Sequence, residues 1–146
     1  MRTHFLRRPK WPPGSITTPF TNTSLKEAVE AWCDKSDKQH TKALSIYGHI
    51  SDWKVGGVTN MDHLFYDRRS FNDDISGWDV SKVESMESMF HNASKFNQSL
   101  GAWKLSPQIC SDSSRTYRMF VGADAFSSEK PKGLSIARRA ARARAT

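Results

Sequence analysis

Apolar residues fall at Ile50, Trp53, Val55, Val58, Met61, Leu64, Phe65 and Phe71, and again 25 residues later at Ile75, Trp78, Val80, Val83, Met86, Met89, Phe90 and Phe96. The polar residues between them vary, so the two stretches share a skeleton. Leu100, Trp103 and Leu105 begin a third copy, but its Met119-Phe120 pair and closing Phe126 arrive late. Trp103 to Phe126 spans 23 residues, against 18 from Trp53 to Phe71 and from Trp78 to Phe96. The difference is a five-residue insertion within about 106–117, centred on "CSDSS".

Within a copy, Ile75-x-x-Trp78-x-Val80-x-x-Val83 predicts a short strand with one buried face. Met86, Met89 and Phe90, at spacings of three and four, predict a helical turn or two. Phe96 closes the coil and Asn97 marks the turn back. Neither piece can bury its apolar side alone, whereas stacked copies can. The expected fold is therefore an α/β repeat solenoid of about three strand–turn–helix coils: 50–74, 75–99 and 100–126 with its insertion. Its expected core is Trp53, Val55, Met61, Phe65 and Phe71; then Trp78, Val80, Met86, Phe90 and Phe96; then Trp103, Leu105, Phe120 and Phe126. The three tryptophans should form one column.

So short a stack needs caps. Ser24 followed by Glu27 reads as a capping box opening a helix through Leu25, Ala28, Val29 and Trp32. With Leu44 and Tyr47 behind it, that helix makes 25–49 an N-terminal helical cap, in which Trp32 is expected to pack in the core.

The skeleton I-x-x-W-x-V-x-x-V-x-x-M-x-x-M-F-x-x-A-x-x-F-N resembles the 25-residue repeats of BspA-type leucine-rich-repeat surface proteins. "ISGWDVSKVESMESMFHNASKFNQS" lies close to that consensus, "ISDWKVGGVTNMDHLFYDRRSFNDD" is nearly as good, and "LGAWKLSPQ…YRMFVGADAF" is an interrupted copy. The preceding "LKEAVEAWCDKSDKQHTKALSIYGHISDW" looks like the segment that leads into the first repeat in algal and protist members. The resemblance covers about 25–126. It implies a leucine-rich-repeat-like fold used at cell surfaces for adhesion or protein–protein contact, with a protein partner, and does not imply an enzyme.

The formal charge of +7 changes meaning once it is divided along the chain. Residues 25–126 carry 12 Lys and Arg against 14 Asp and Glu. The surplus sits in 1–24, read as a basic flexible leader, and in 127–146, read as a basic flexible tail. Arg138, Arg139, Arg142 and Arg144 in that tail offer weak contacts to anionic partners, so a structural subunit or an anionic-surface or nucleic-acid binder acting through the termini is the alternative reading. The N-terminus has no apolar h-region and no apolar run reaches 18 residues, so neither a secretory signal nor a membrane span is expected.

If Trp and Val point inward, the residues between them point outward and form a polar face on the stacked coils. Asp52, Lys54 and Gly56 align with Gly77, Asp79 and Ser81, and then with Ala102, Lys104 and Ser106. Such a face is the default binding surface of a repeat fold, and equally the description of plain solvated surface; the residues leave both open. Little else suggests chemistry. The five histidines share no metal-ligand spacing and are expected on the surface or beside helices. Asp73-Asp74 fits turn chemistry and not a calcium loop, and nucleophile and phosphate-loop motifs are missing. No cofactor and no catalytic residue are expected. Asn22-Thr-Ser, Asn92-Ala-Ser and Asn97-Gln-Ser match the glycosylation sequon. Cys33 and Cys110 are read as free, partly buried thiols.

Overall fold

A computed structural model describes residues 19–134. Two helices come first. Helix α1 (Asn22–Trp32) buries Leu25, Ala28, Val29 and Trp32. Its capping box is Thr21 with Ser24, one turn ahead of the expected Ser24–Glu27 pair; Ser24 takes part as the third helical residue. Helix α2 (Asp37–Tyr47) starts on Ser36, whose hydroxyl accepts from the Gln39 N–H. It buries Ala43 and leaves Leu44 exposed, while half-buried Tyr47 meets Phe20 and Trp53. Because Phe20 is buried and Thr21 caps α1, the folded part begins before the expected boundary at 24. It also runs past 126: Pro131 is buried and Ser128 is bonded to Asn97. The remainder of the basic ends, with Arg138, Arg139, Arg142 and Arg144, lies outside the described residues.

The three copies lie one upon the next, but not as strand–turn–helix coils. Among the described residues no strand forms; the copies share one isolated parallel bridge, Asn60 with Ser85. No helix forms in the Met-Phe segments either. The expected α/β solenoid, and with it a leucine-rich-repeat architecture, is overturned. The physical reason is local. A 3₁₀ turn at Ile50–Asp52 and the bonds Val58 N–H to Val55 O and Val83 N–H to Val80 O curl the segments expected to be strands.

The Met-Phe segments form rows instead. The N–H groups of Met61, His63, Phe65 and Asp67 donate to the carbonyls of Ser85, Glu87, Met89 and His91 at 2.8–2.9 Å. Those of Met86, Ser88, Phe90 and Asn92 donate in turn to Arg115, Tyr117, Met119 and Val121 at 2.7–2.9 Å. Alternate N–H groups close short turns within the copy, as Leu64 does on Met61 and Met89 on Met86. Two left-handed residues recur per copy at matching registers: His63, Ser88 and Arg118, then Asp67, Asn92 and Gly122, with φ between 53 and 79°. This backbone is neither helix nor strand, although it makes apolar residues recur at helix-like spacing.

Burial follows the repeat. Phe65, Phe90 and Phe120 stack at 5.5 and 5.6 Å between centroids, and Phe71, Phe96 and Phe126 beside them at 5.7 and 5.8 Å. Trp53 and Trp78 stack at 6.4 Å and 15°. Trp78 Nε1 donates to Ile50 O, and Trp103 Nε1 to Ile75 O, each at 2.9 Å. The expected core residues of the first two copies are all buried; Leu105, Phe120 and Phe126 of the third are partly exposed. The insertion is helix α3 (Pro107–Ser111) followed by a 3₁₀ turn at Ser113–Thr116.

Asparagines bind the copies at their corners. Asn72 Oδ1 accepts the Asn97 N–H at 2.8 Å, and Asn97 Oδ1 accepts the N–H groups of Ser127 and Ser128 at 2.9 Å. Asn22 Oδ1 accepts from Thr59 and Asn60, fixing the start of α1 on the first copy. The amides of the sequon residues Asn22 and Asn97, and of Asn92 through Asp67, are thus engaged in internal hydrogen bonds.

Candidate functional site

In the first copy Trp53 and Val55 turn inward, so Asp52 and Lys54 stand exposed with Gly56 beside them. The second copy repeats this with exposed Gly77, Asp79 and Ser81 around buried Trp78 and Val80. Five of the nine residues aligned on the expected polar face, Asp52, Lys54, Gly56, Gly77 and Asp79, line one open groove of about 680 Å³. Pro19, Ser51, Trp53, Gly57 and Lys82 complete it. Pro19 arrives because the Phe20 N–H donates to Lys54 O at 3.0 Å.

Glycine sets the groove's shape. A Cβ on Gly56 would stand 3.0 Å from Asp79 Oδ2, so the Asp79 carboxylate lies over Gly56 because no side chain is there. Gly77 has ordinary space above it, its nearest neighbour being Ser51 O at 3.9 Å. Asp79 Oδ1 accepts from the Ser81 hydroxyl at 2.6 Å and the Ser81 N–H at 3.0 Å. These bonds to the ionised form, helped by Lys82, hold its carboxyl below the usual carboxylate range. Two carboxylates and two ammonium groups thus face solvent around a glycine floor, a pattern suited to reading a polar, mixed-charge segment.

The third copy departs from the face. Lys104 remains exposed beyond the groove, but Ser106 is buried: its hydroxyl donates to Val83 O and accepts from the Ile109 N–H, capping α3. The insertion redirects this residue into the core. Ser51 and Lys82, by contrast, line the groove without having been expected there; only the bend of the chain around Trp53 and Trp78 brings them in, and their residue types carry no signal.

A second groove, of about 590 Å³, lies where α1 meets α2 and the closing loop of the first copy; it includes Cys33, Lys35, His40 and Arg68. Burial pushes the Cys33 thiol up to about 12, against the pull of Arg68, and Asp73 adds to the rise. Cys110 is free and exposed, not partly buried as expected. His91 is buried and stacked on Tyr66 at 4.7 Å, contrary to the surface position expected of it. Among the described residues no three His, Cys, Asp or Glu gather as metal ligands, and no helix is long and apolar enough to cross a membrane.

The family described as "Mycoplasma protein of unknown function, DUF285" matches residues 19–132. The chain belongs to this family. No curated protein and no solved structure matches it. The DUF285 match takes in α1, α2, all three copies and the segment bonded to Asn97, so both ends of the groove lie inside it.

Proposed function

We propose that the chain is a non-enzymatic protein–protein interaction or adhesion module that docks an extended, mixed-charge segment of a partner in the Asp52–Lys54–Gly56–Gly77–Asp79 groove. The observation that carries this reading is the gathering of outward residues from two successive copies around one concave, glycine-floored surface. A wall made of stacked copies supplies a rigid scaffold, so a partner orders few groups of this chain on binding. The similarity of the repeat to BspA-type surface proteins supports the same class.

A photo-crosslinking residue at Lys54, and separately at Lys95 as a control, tests it in extract of the source cell. The expected result is one saturable crosslinked protein at position 54, lost on Gly77→Arg, which fills the groove without meeting a close neighbour. Equal crosslinking at both positions, or persistence in a folded Gly77→Arg variant, overturns the reading.

A further inference from the structure

The rows end on unanswered donors. His63, Phe65 and Asp67 in the first copy, and Ser88, Phe90 and Asn92 in the second, give their N–H groups to the following copy. The matching donors of the third copy, the N–H groups of Arg118, Phe120 and Gly122, have no partner among the described residues. Phe120 and Phe126 are only half-buried there, whereas their counterparts inside the stack are buried. Lys130 lies over both rings, its Nζ 5.8 and 5.3 Å from their centroids, on a side chain long enough to swing aside. Tyr117 and Val121 beside them are 48% and 46% exposed.

We infer that this end is a docking edge for a repeat-type segment of another polypeptide. The occupant's chemistry is fixed by the step that carries the second copy onto the third. It must present backbone carbonyls at alternate residues to Arg118, Phe120 and Gly122, a phenylalanine over Phe120, and a second one six residues on over Phe126. Arg118 flanks the donors, so an acidic residue at the start of the incoming row matches it in charge, as Glu84 and Glu87 stand at the start of the second copy's row; Arg115 is already paired with Asp112. A second copy of this chain stacked head to tail does not fit, because α1 covers the first copy: Asn22 is bonded to Thr59 and Trp32 Nε1 donates to Asp73. Two such ends match poorly face to face, since the three row donors of each would oppose the three of the other. Edge pairing of this kind takes affinity from main-chain bonds and specificity from alternate side chains.

The probe is a synthetic peptide of residues 81–99 of this chain, added to the full chain and followed by amide hydrogen exchange. Protection at Arg118, Phe120 and Gly122 is expected to rise at least about tenfold at saturation, with Phe65 and Phe90 unchanged. A peptide carrying Phe90→Ala and Phe96→Ala is expected to give none. No protection at these amides with the first peptide, equal protection with the second, or protection that appears with protein concentration alone overturns the inference.

Discussion

Trp78 Nε1 donates to the carbonyl oxygen of Ile50 at 2.9 Å, reaching back 28 residues to the opening of the preceding copy, and Trp103 does the same to Ile75. Each indole thus fills the core of its own copy and satisfies a carbonyl of the one before. The two roles are separable. Trp78→Ala loses both and should cost about 3–5 kcal/mol. Trp78→Phe keeps an aromatic ring but leaves the Ile50 carbonyl only the longer bond from the Trp53 N–H at 3.3 Å, costing about 0.5–1.5 kcal/mol. Urea unfolding followed by circular dichroism checks both; equal midpoints for Phe and wild type would show that the hydrogen bond contributes nothing.

Asn97 gathers the N–H groups of two successive residues, Ser127 and Ser128, on one side-chain oxygen. Asn97→Ala should therefore loosen the last described segment before it unfolds the molecule. Faster amide exchange is expected at 127–130, with the first-copy amides of Met61–Asp67 unaffected. Uniform acceleration across the chain would contradict this.

Gly122 takes the register that Asp67 and Asn92 fill in the other copies, at φ 79°. A Cβ there would collide with the Asn92 side-chain oxygen and lie 3.1 Å from Asn92 Cα. Gly122→Ala should cost about 1–3 kcal/mol, from left-handed strain plus displacement of Asn92. Gly77→Ala, with no close neighbour and no left-handed backbone, should lie within about 0.5 kcal/mol of wild type. Thermal midpoints of the two variants decide whether the register or glycine itself matters.

Asp74 and Asp79 each accept from a serine two residues on, and those bonds depress both carboxyls. A depressed folded value contributes stability that is present above the unfolded value of 3.8 and is lost as pH falls through the lower folded one. The urea midpoint should thus fall with acidification below about pH 4, and less steeply in Asp79→Asn. An identical acid slope in wild type and variant would remove Asp79 from the account.

Cys33 and Cys110 should separate under alkylation. With its thiol pushed up to about 12 and half-buried, Cys33 carries almost no thiolate at pH 8. Iodoacetamide followed by peptide mass analysis is expected to label Cys110 first and Cys33 only after unfolding. Equal labelling of the native protein would overturn the burial of Cys33.

The register was legible because burial is unforgiving: Trp53, Trp78 and Trp103 must meet equivalent neighbours, so their spacing is written in the chain. The same holds for Phe65, Phe90 and Phe120. Local conformation was less legible. Met86, Met89 and Phe90 have helical spacing, yet a row with recurring left-handed residues also returns apolar side chains at three and four. A signal was present in Asp67, Asn92 and Gly122, three residue types that tolerate positive φ, standing at one register. The polar face was half legible, since alternation around Trp53 and Trp78 places Asp52, Lys54, Gly77 and Asp79 outward. Ser106 was lost to the insertion, whose helix needed a cap.

The peptide groups that link the Met-Phe rows point their carbonyls toward α1 and their N–H groups toward Arg118, Phe120 and Gly122, and outnumber the three bonds of opposite sense, from Glu84, Lys95 and Ala125 back to Thr59, Arg69 and Ser94. Parallel columns of such groups add their dipoles along the pile, much as the turns of a helix do. The molecule is therefore electrically polar along its length, with its positive pole on the uncovered side. Acidic substitutions at Tyr117 or Val121 should be better tolerated than basic ones, and each 25-residue unit added by duplication would lengthen the dipole without changing its sense.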